Sequence, residues 1–377
     1  MRYHSKDRRI NWRPIREATR VKRFSHVIRL LALCLTALTP AAAHAQKMTD
    51  VTIYVVKNLL ASPHFVALEN GYWAEQGLNV QIKLTSGGRN VVQALQAGDT
   101  QFGHVAISGT LSVARAGGDK LIGVIPYYNA SEYMGKASAY AIIGRRDRGV
   151  DPAKPDSLLG KKIAYTAGTN EYYMRQWFQK NRLDITKAQP VSMLVEDMPV
   201  ALNQSLVDAV VTWEPYGSQV IRMQAANAAI VSRGESGLMS DNVGLVVRED
   251  YLKANPDTVE KFALGVIAAT KFIRENPKET AEIDSRYLDG LNQTDAVEGL
   301  KHLIWDPRIS VCTIEGSIRT GNGMLRAGQI KMDRKFVASD YYDLSIYDKI
   351  VAKHADLFAG LPPLPKNIED CKGPLEQ

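Results

Sequence analysis

The chain is poor in the residues from which most catalytic and metal sites are assembled. It carries three cysteines and seven histidines in 377 residues. Past residue 45 the histidines are His64, His104, His302 and His354, scattered without the spacing of metal ligands. His64, near a helix start, reads as a surface or capping residue. There is no Gly-x-Ser-x-Gly, no His-Glu-x-x-His and no Walker A loop, and Gly160-Lys161-Lys162 lacks both the upstream glycine and the following Ser or Thr. These gaps argue against a serine hydrolase of the elbow type, a zinc peptidase and a P-loop NTPase. A triad defined by geometry alone stays open. No apolar run reaches the roughly 20 residues needed to span a bilayer. Repeats of fixed period and low-complexity tracts are also missing.

A net charge of +7 resembles a nucleic-acid signal until its distribution is read. Residues 1–45 hold ten Lys and Arg against two Asp and Glu, which leaves 37 basic and 38 acidic residues in the rest. A near-neutral body offers no general attraction for phosphate backbones or anionic lipid, so no nucleic-acid partner is expected. The basic segment has the layout of a secretory signal. Arg20, Lys22, Arg23 and Arg29 precede the apolar run 30–38, Pro40 breaks it, and Ala43-His44-Ala45 provides small residues for cleavage after Ala45. Export to the periplasm is therefore expected. Cys34 lies in that segment, leaving Cys312 and Cys371. Two cysteines in an oxidising compartment are either one bridge or two separate thiols, and export favours the bridge. No cofactor or metal is expected.

Past the leader, strand and helix patterns alternate. Residues 51–56, 80–84, 102–107, 121–125 and 139–143 read as strands, with short helices between them ended by glycine. The polar stretch 145–156, with Pro152 and Pro155, reads as a crossing to a second block. There the pattern restarts, with strands at 162–165, 190–194 and 209–212. Residues 242–248 read as the return crossing. Asn255-Pro256 then opens a helix with Phe262, Val266, Ala269 and Ile273 on one face. Alternation of this kind predicts an α/β fold of two lobes joined by two crossover segments, with a cleft between them. The expected division is 1–45 signal peptide, 46–145 first part of lobe 1, 146–243 lobe 2, 244–330 the return to lobe 1, and 331–377 a C-terminal tail.

Four stretches carry a resemblance to a known family. They are residues 65–78 (Phe65 to Leu78), Ser86-Gly87-Gly88 with residues 94–99, residues 157–164, and Val207-Asp208-Ala209 leading to Trp213-Glu214-Pro215-Tyr216. In order and spacing they resemble the nitrate, taurine and sulfonate-type periplasmic substrate-binding proteins of ABC importers, a superfamily that includes binders of pyrimidine precursors. The resemblance implies a type II two-lobed fold, a membrane permease as partner, and binding without catalysis; a monomer is expected. It also implies solute contacts at matching turns: Asn58 and Leu60, Ser86, Gly87, Gly88 and Arg89, Ser108 and Gly109, Thr166, Gly168, Thr169 and Asn170, then Trp213 and Glu214.

Elementary chemistry favours the same turns. Ser, Gly and Thr turns before a helix expose backbone N–H groups at the positive end of its dipole. Ser108 and Thr169 add hydroxyls, Arg89 a charge-assisted donor, and Trp213 a flat apolar wall. Glu214 has two readings: a partner for a cationic group on the solute, or a partner for a protein arginine that holds the loop. The expected ligand is a small polar solute, anionic or heteroaromatic. An aminopyrimidine-type vitamin precursor and a periplasmic enzyme using the same cleft are the alternatives.

Overall fold

The computed structural model describes residues 47–129, 139–235, 237–240 and 242–371. The signal-peptide reading of 1–45 lies outside them. Ten strands form two five-stranded sheets. Sheet one contains β1 (Thr49–Val56), β2 (Leu78–Thr85), β3 (Phe102–Ala106), β4 (Leu121–Asn129) and β10 (Asn242–Arg248), in the order β2-β1-β3-β10-β4. Sheet two contains β5 (Tyr140–Arg145), β6 (Lys162–Tyr165), β7 (Gln189–Ser192), β8 (Ala209–Trp213) and β9 (Ala228–Arg233), in the order β7-β6-β8-β5-β9. In sheet one β1 runs parallel to β2 and β3, and β10 runs antiparallel to β3 and β4. Sheet two repeats the scheme, with β6 parallel to β7 and β8 and with β5 antiparallel to β8 and β9.

Helices cover these sheets because the strands are apolar on both faces. All nine residues of β4 are buried, as expected of a strand in a covered sheet. Pro126 has no N–H for the ladder, and the β4–β10 register shifts between Val243 and Gly244 beside it. The principal helices are α1 (Ser62–Glu69), α2 (Gly88–Ala97), α3 (Thr169–Lys180), α4 (Tyr216–Gln224), α5 (Pro256–Glu275), α6 (Pro277–Tyr287), α7 (Gln293–Leu300) and α8 (Val311–Arg326). The predicted stripe on α5 is buried throughout, and Phe262 stacks on Phe102 at 3.9 Å between ring centroids. Asn255 stands at the cap position, but its side chain donates back to the Tyr251 carbonyl at 3.3 Å instead of accepting from the helix.

Two expectations are corrected. The strand β5 was read as the end of lobe 1, yet it sits in sheet two between β8 and β9. The chain therefore passes between sheets after Asn129 and before Tyr140, not at 145–156. The prolines and charges there mark a surface connection from β5 to β6 through two short 3-10 turns, Arg146–Arg148 and Pro155–Leu158. Likewise β10 is no crossing but a full member of sheet one, and the return is complete before Asn242. Residues 331–371 of the C-terminal tail pack on the body. Phe336, Tyr341 and Tyr342 are buried against sheet one, and Gly123 on β4 exchanges hydrogen bonds with Tyr341 and Asp343. Cys312 on α8 and Cys371 form a disulfide.

Candidate functional site

Strand polarity places the chosen turns on two facing edges. In sheet one the carboxyl ends of β1, β2 and β3 lie on one side and carry Asn58, Ser86 and Ser108. In sheet two the carboxyl ends of β6, β8 and β9 lie on one side and carry Thr166, Trp213 and Arg233. Loops at such ends are where open α/β sheets bind their ligands.

The two edges touch. Gly109 packs so closely on Thr169 that an added Cβ would overlap its Oγ1 and stand 3.0 Å from its Cγ2. The Leu59 N–H donates to the Glu214 carbonyl at 3.3 Å, and the Tyr216 hydroxyl donates to the Lys57 carbonyl at 3.3 Å. Beside this seam, Arg222 of α4 grips Asp295 of α7 through three contacts of 2.8, 3.0 and 2.9 Å. Asp295 is only 3% exposed overall and is steadied by the Asn292 side-chain amide at 2.9 Å. A pocket of about 190 Å³ opens there, between Lys57, Tyr216, Gln219 and Asp289.

On the sheet-one edge the selected residues separate into different roles. Asn58 is buried and its Oδ1 has no hydrogen-bond partner. Leu60 belongs to the hydrophobic core, so its side chain is packing material. The Ser86–Gly88 turn abuts the next loop, where Gly88 meets the Thr110 side chain, while Arg89 is exposed. The Ser108 hydroxyl is already spent on the Ser240 carbonyl at 2.6 Å.

On the sheet-two edge, Gly168 adopts φ 101° immediately before α3, a region that excludes most side chains. The Thr166 hydroxyl donates to the Met193 carbonyl at 3.0 Å, and its N–H reaches Asn170 Oδ1 at 3.2 Å. Asn170 Nδ2 and Trp213 Nε1 are both buried without partners. Trp213 meets Tyr140 edge-on at 6.3 Å between centroids, and Tyr140 stacks on Tyr173 at 5.7 Å, giving an aromatic wall. Glu214 is 0% exposed. Its carboxylate pairs with the Arg233 guanidinium and accepts the Ser218 N–H at 3.0 Å. Of its two readings, the protein-arginine partner is the one observed. Arg233 itself went unread in the sequence. Its only signal is a basic residue at the end of a strand just before Gly234.

Titratable groups elsewhere sit in the core. The Tyr127 hydroxyl joins His64 Nε2 at 3.0 Å to His104 Nδ1 at 2.6 Å. Burial holds the His64 imidazole well below its ordinary value, with the neighbouring His104 adding to it, and pushes His104 down to about 3. Both rings are therefore neutral at physiological pH. His64 is fully buried, not the surface or capping residue expected, because its ring packs beside Trp73. Burial and the Arg233 charge lower His302. Among the described residues no group of three or more His, Cys, Asp or Glu is arranged to hold a metal ion, and no helix is long and apolar enough to cross a membrane. The facing loops can envelop a small molecule with neutral donors and an aromatic surface.

Comparison with known proteins agrees with this geometry. The family described as NMT1/THI5 like matches residues 58–280. A binding protein of Brucella abortus (strain 2308) is 24% identical over 305 residues, covering 78% of this chain and 88% of that protein. The taurine-binding periplasmic protein of Escherichia coli (strain K12) is 25% identical over 249 residues, covering 64% and 72%. Among solved structures, the periplasmic nitrate-binding protein of Synechocystis PCC 6803 superposes with a TM-score of 0.68 at 14% identity, covering 85% and 93%. The alkanesulfonate-binding protein of Xanthomonas axonopodis pv. citri, bound to MOPS, superposes with a TM-score of 0.66 at 17% identity, covering 78% and 99%. The fold is that of the periplasmic binding proteins.

Proposed function

Because the chain belongs to the NMT1/THI5-like family, we propose that it is the extracytoplasmic solute-binding component of an ABC importer. It captures a small polar solute between the two strand-end loop sets and delivers it to a membrane permease without chemical change. The observation that carries this reading is the direct contact of the two carboxyl-end edges, Gly109 on Thr169 and Leu59 on Glu214. Edges that meet this closely exclude water, which strengthens every polar contact inside. The relatives that bind taurine, nitrate and alkanesulfonates support a small oxyanion as the class of solute. Contacts are assigned to Asn58, the Ser86–Gly88 turn, Gly109, Thr169, Asn170 and Trp213, while Glu214 holds its loop. The leader and cleavage after Ala45 belong to the same reading, which places the protein in the periplasm as a monomer.

The test is calorimetry and thermal shift on the exported protein against sulfonates, nitrate, bicarbonate, aromatic carboxylates and aminopyrimidines. One-to-one binding without turnover is expected for one class. Gly109→Ala, which forces the edges apart, should weaken that binding at least tenfold with the fold intact. Product formation from any bound compound would replace this reading with the enzymatic one.

A further inference from the structure

Among the described residues, three glycines of the sheet-one half each receive a side chain from the sheet-two half. An added Cβ at Gly109 would overlap Thr169 Oγ1, and one at Gly323 on α8 would overlap the Tyr172 hydroxyl. One at Gly299 on α7 would stand 3.1 Å from a Glu214 carboxylate oxygen. Thr169 and Tyr172 lie three residues apart on α3, so they share one face of that helix. We infer that these seats form a lock made of protein alone, with Tyr172 in the Gly323 notch as its key, and that this lock holds the two halves shut. It deepens the binding reading above and rests on it, because a solute has to enter and leave where these halves part.

Gly323 lies inside α8 with a helical backbone, where alanine is the more stabilising residue. The three atoms nearest to an added Cβ there all belong to Tyr172: its hydroxyl, its Cζ at 3.2 Å and its Cε2 at 3.5 Å. The phenol therefore opposes alanine at this position, and the chain does not. Tyr172 is 1% exposed. Notch and key stand on different rigid bodies. Asn129 Nδ2 donates to Thr313 Oγ1 of α8 at 2.8 Å, and Asn242 Nδ2 donates to Ser317 Oγ of α8 at 3.1 Å. Gly321 of α8 also lies against the Tyr341 hydroxyl, which is 2.7 Å from Ser112 Oγ. These contacts fix α8 to sheet one. On the other side, the Tyr173 hydroxyl meets Ser232 Oγ of β9 at 2.8 Å, which fixes α3 to sheet two. Packed contacts of this kind are bistable, seated or unseated, and do not deform continuously. Neither Tyr172 nor Gly323 is among the solute contacts assigned above, so Tyr172 acts as a positioning residue.

The test needs no solute. The Leu59 N–H donates across the seam to the Glu214 carbonyl at 3.3 Å, so its hydrogen exchange reports parting of the halves. Gly323→Ala should speed that exchange at least tenfold and raise the radius of gyration in X-ray scattering, with the amides of β4 and β10 unchanged. Tyr172→Leu withdraws the ring without touching α8 and should do the same, so the outcome does not hang on Gly323→Ala folding. Adding Tyr172→Phe to Gly323→Ala removes the colliding hydroxyl and leaves Cζ at 3.2 Å. That pair should recover most of the protection and compactness, while Tyr172→Phe alone should change the exchange less than twofold. Unchanged Leu59 exchange in both Gly323→Ala and Tyr172→Leu overturns the lock. So does a failure of the added phenylalanine to recover protection. Equal speeding in β4 and β10 overturns it too, because Tyr172 is then general packing. If the variants behave as expected and nothing in the solute panel binds, the lock stands and only the binding reading falls. If a solute binds and the variants leave the seam unchanged, the lock alone fails.

Discussion

At the scale of single residues, the most informative group outside the cleft is Asp284. It is 0% exposed on α6, with Oδ2 at 2.7 Å from the Ser62 hydroxyl. That hydroxyl also lies 2.6 Å from the Leu59 carbonyl. A hydroxyl has one proton, and a carbonyl can only accept. Both contacts are satisfied when Ser62 donates to Leu59 and Asp284 donates to Ser62, which requires a protonated carboxyl. Burial accordingly pushes Asp284 up to about 8, with the Ser62 hydrogen bond opposing. The folded protein then holds a proton that the unfolded chain, near 3.8, releases. Stability should fall as pH rises from about 4 to about 8, by up to about 1.4 kcal/mol per pH unit from this one group. Asp284→Asn should flatten that slope, and urea unfolding at pH 5 and pH 8 measures it. Glu214 teaches the matching lesson about reading a sequence. Its two roles could not be separated because Arg233 lies 19 residues away, and only strand pairing brings it alongside. The turns at Ser86, Ser108 and Thr166 were legible because glycine and hydroxyl residues report on local backbone, whereas the fate of each hydroxyl depends on distant partners such as Ser240 and Met193.

At the scale of elements, α4 and α7 belong to different sheets and are pinned by Arg222 and Asp295. Removing Arg222 strands a buried carboxylate, although the arginine is itself half exposed and screened. Arg222→Ala is expected to cost about 1–3 kcal/mol, and exchanging the two residues should recover part of it. A double-mutant cycle in chemical denaturation measures the coupling. The strands of sheet one were readable from apolar runs bounded by turn residues, and so was the buried stripe of α5. Assigning β5 to its sheet was not. Tyr140–Arg145 pairs with β8 and β9, 65 to 92 residues further along, and periodicity carries no record of which partner a strand finds. Polarity then drew attention to the prolines at 152 and 155, which mark a surface turn.

At the scale of the whole molecule, the Cys312–Cys371 bridge closes a separation of 59 residues. It fastens the chain end to α8 after Phe336, Tyr341 and Tyr342 have packed on sheet one. In the chain-entropy model a loop of that size stabilises the fold by about 4 kcal/mol. Cys371→Ser should lower the urea midpoint by a corresponding amount and leave solute affinity within about twofold, because neither cysteine belongs to the facing loops. Reductant should reproduce the shift in the unaltered protein and have no effect on the variant.

The order of strands at the two passages has a mechanical consequence. Asn129 pairs with Asn242 on one side of the gap, and Ala141 pairs with Arg233 on the other. Each sheet thus receives the chain's two passages as antiparallel neighbours, β4 beside β10 and β5 beside β9. Strands laddered side by side cannot slide past one another without breaking their shared hydrogen bonds, so a shift of one sheet carries both of its passage strands together.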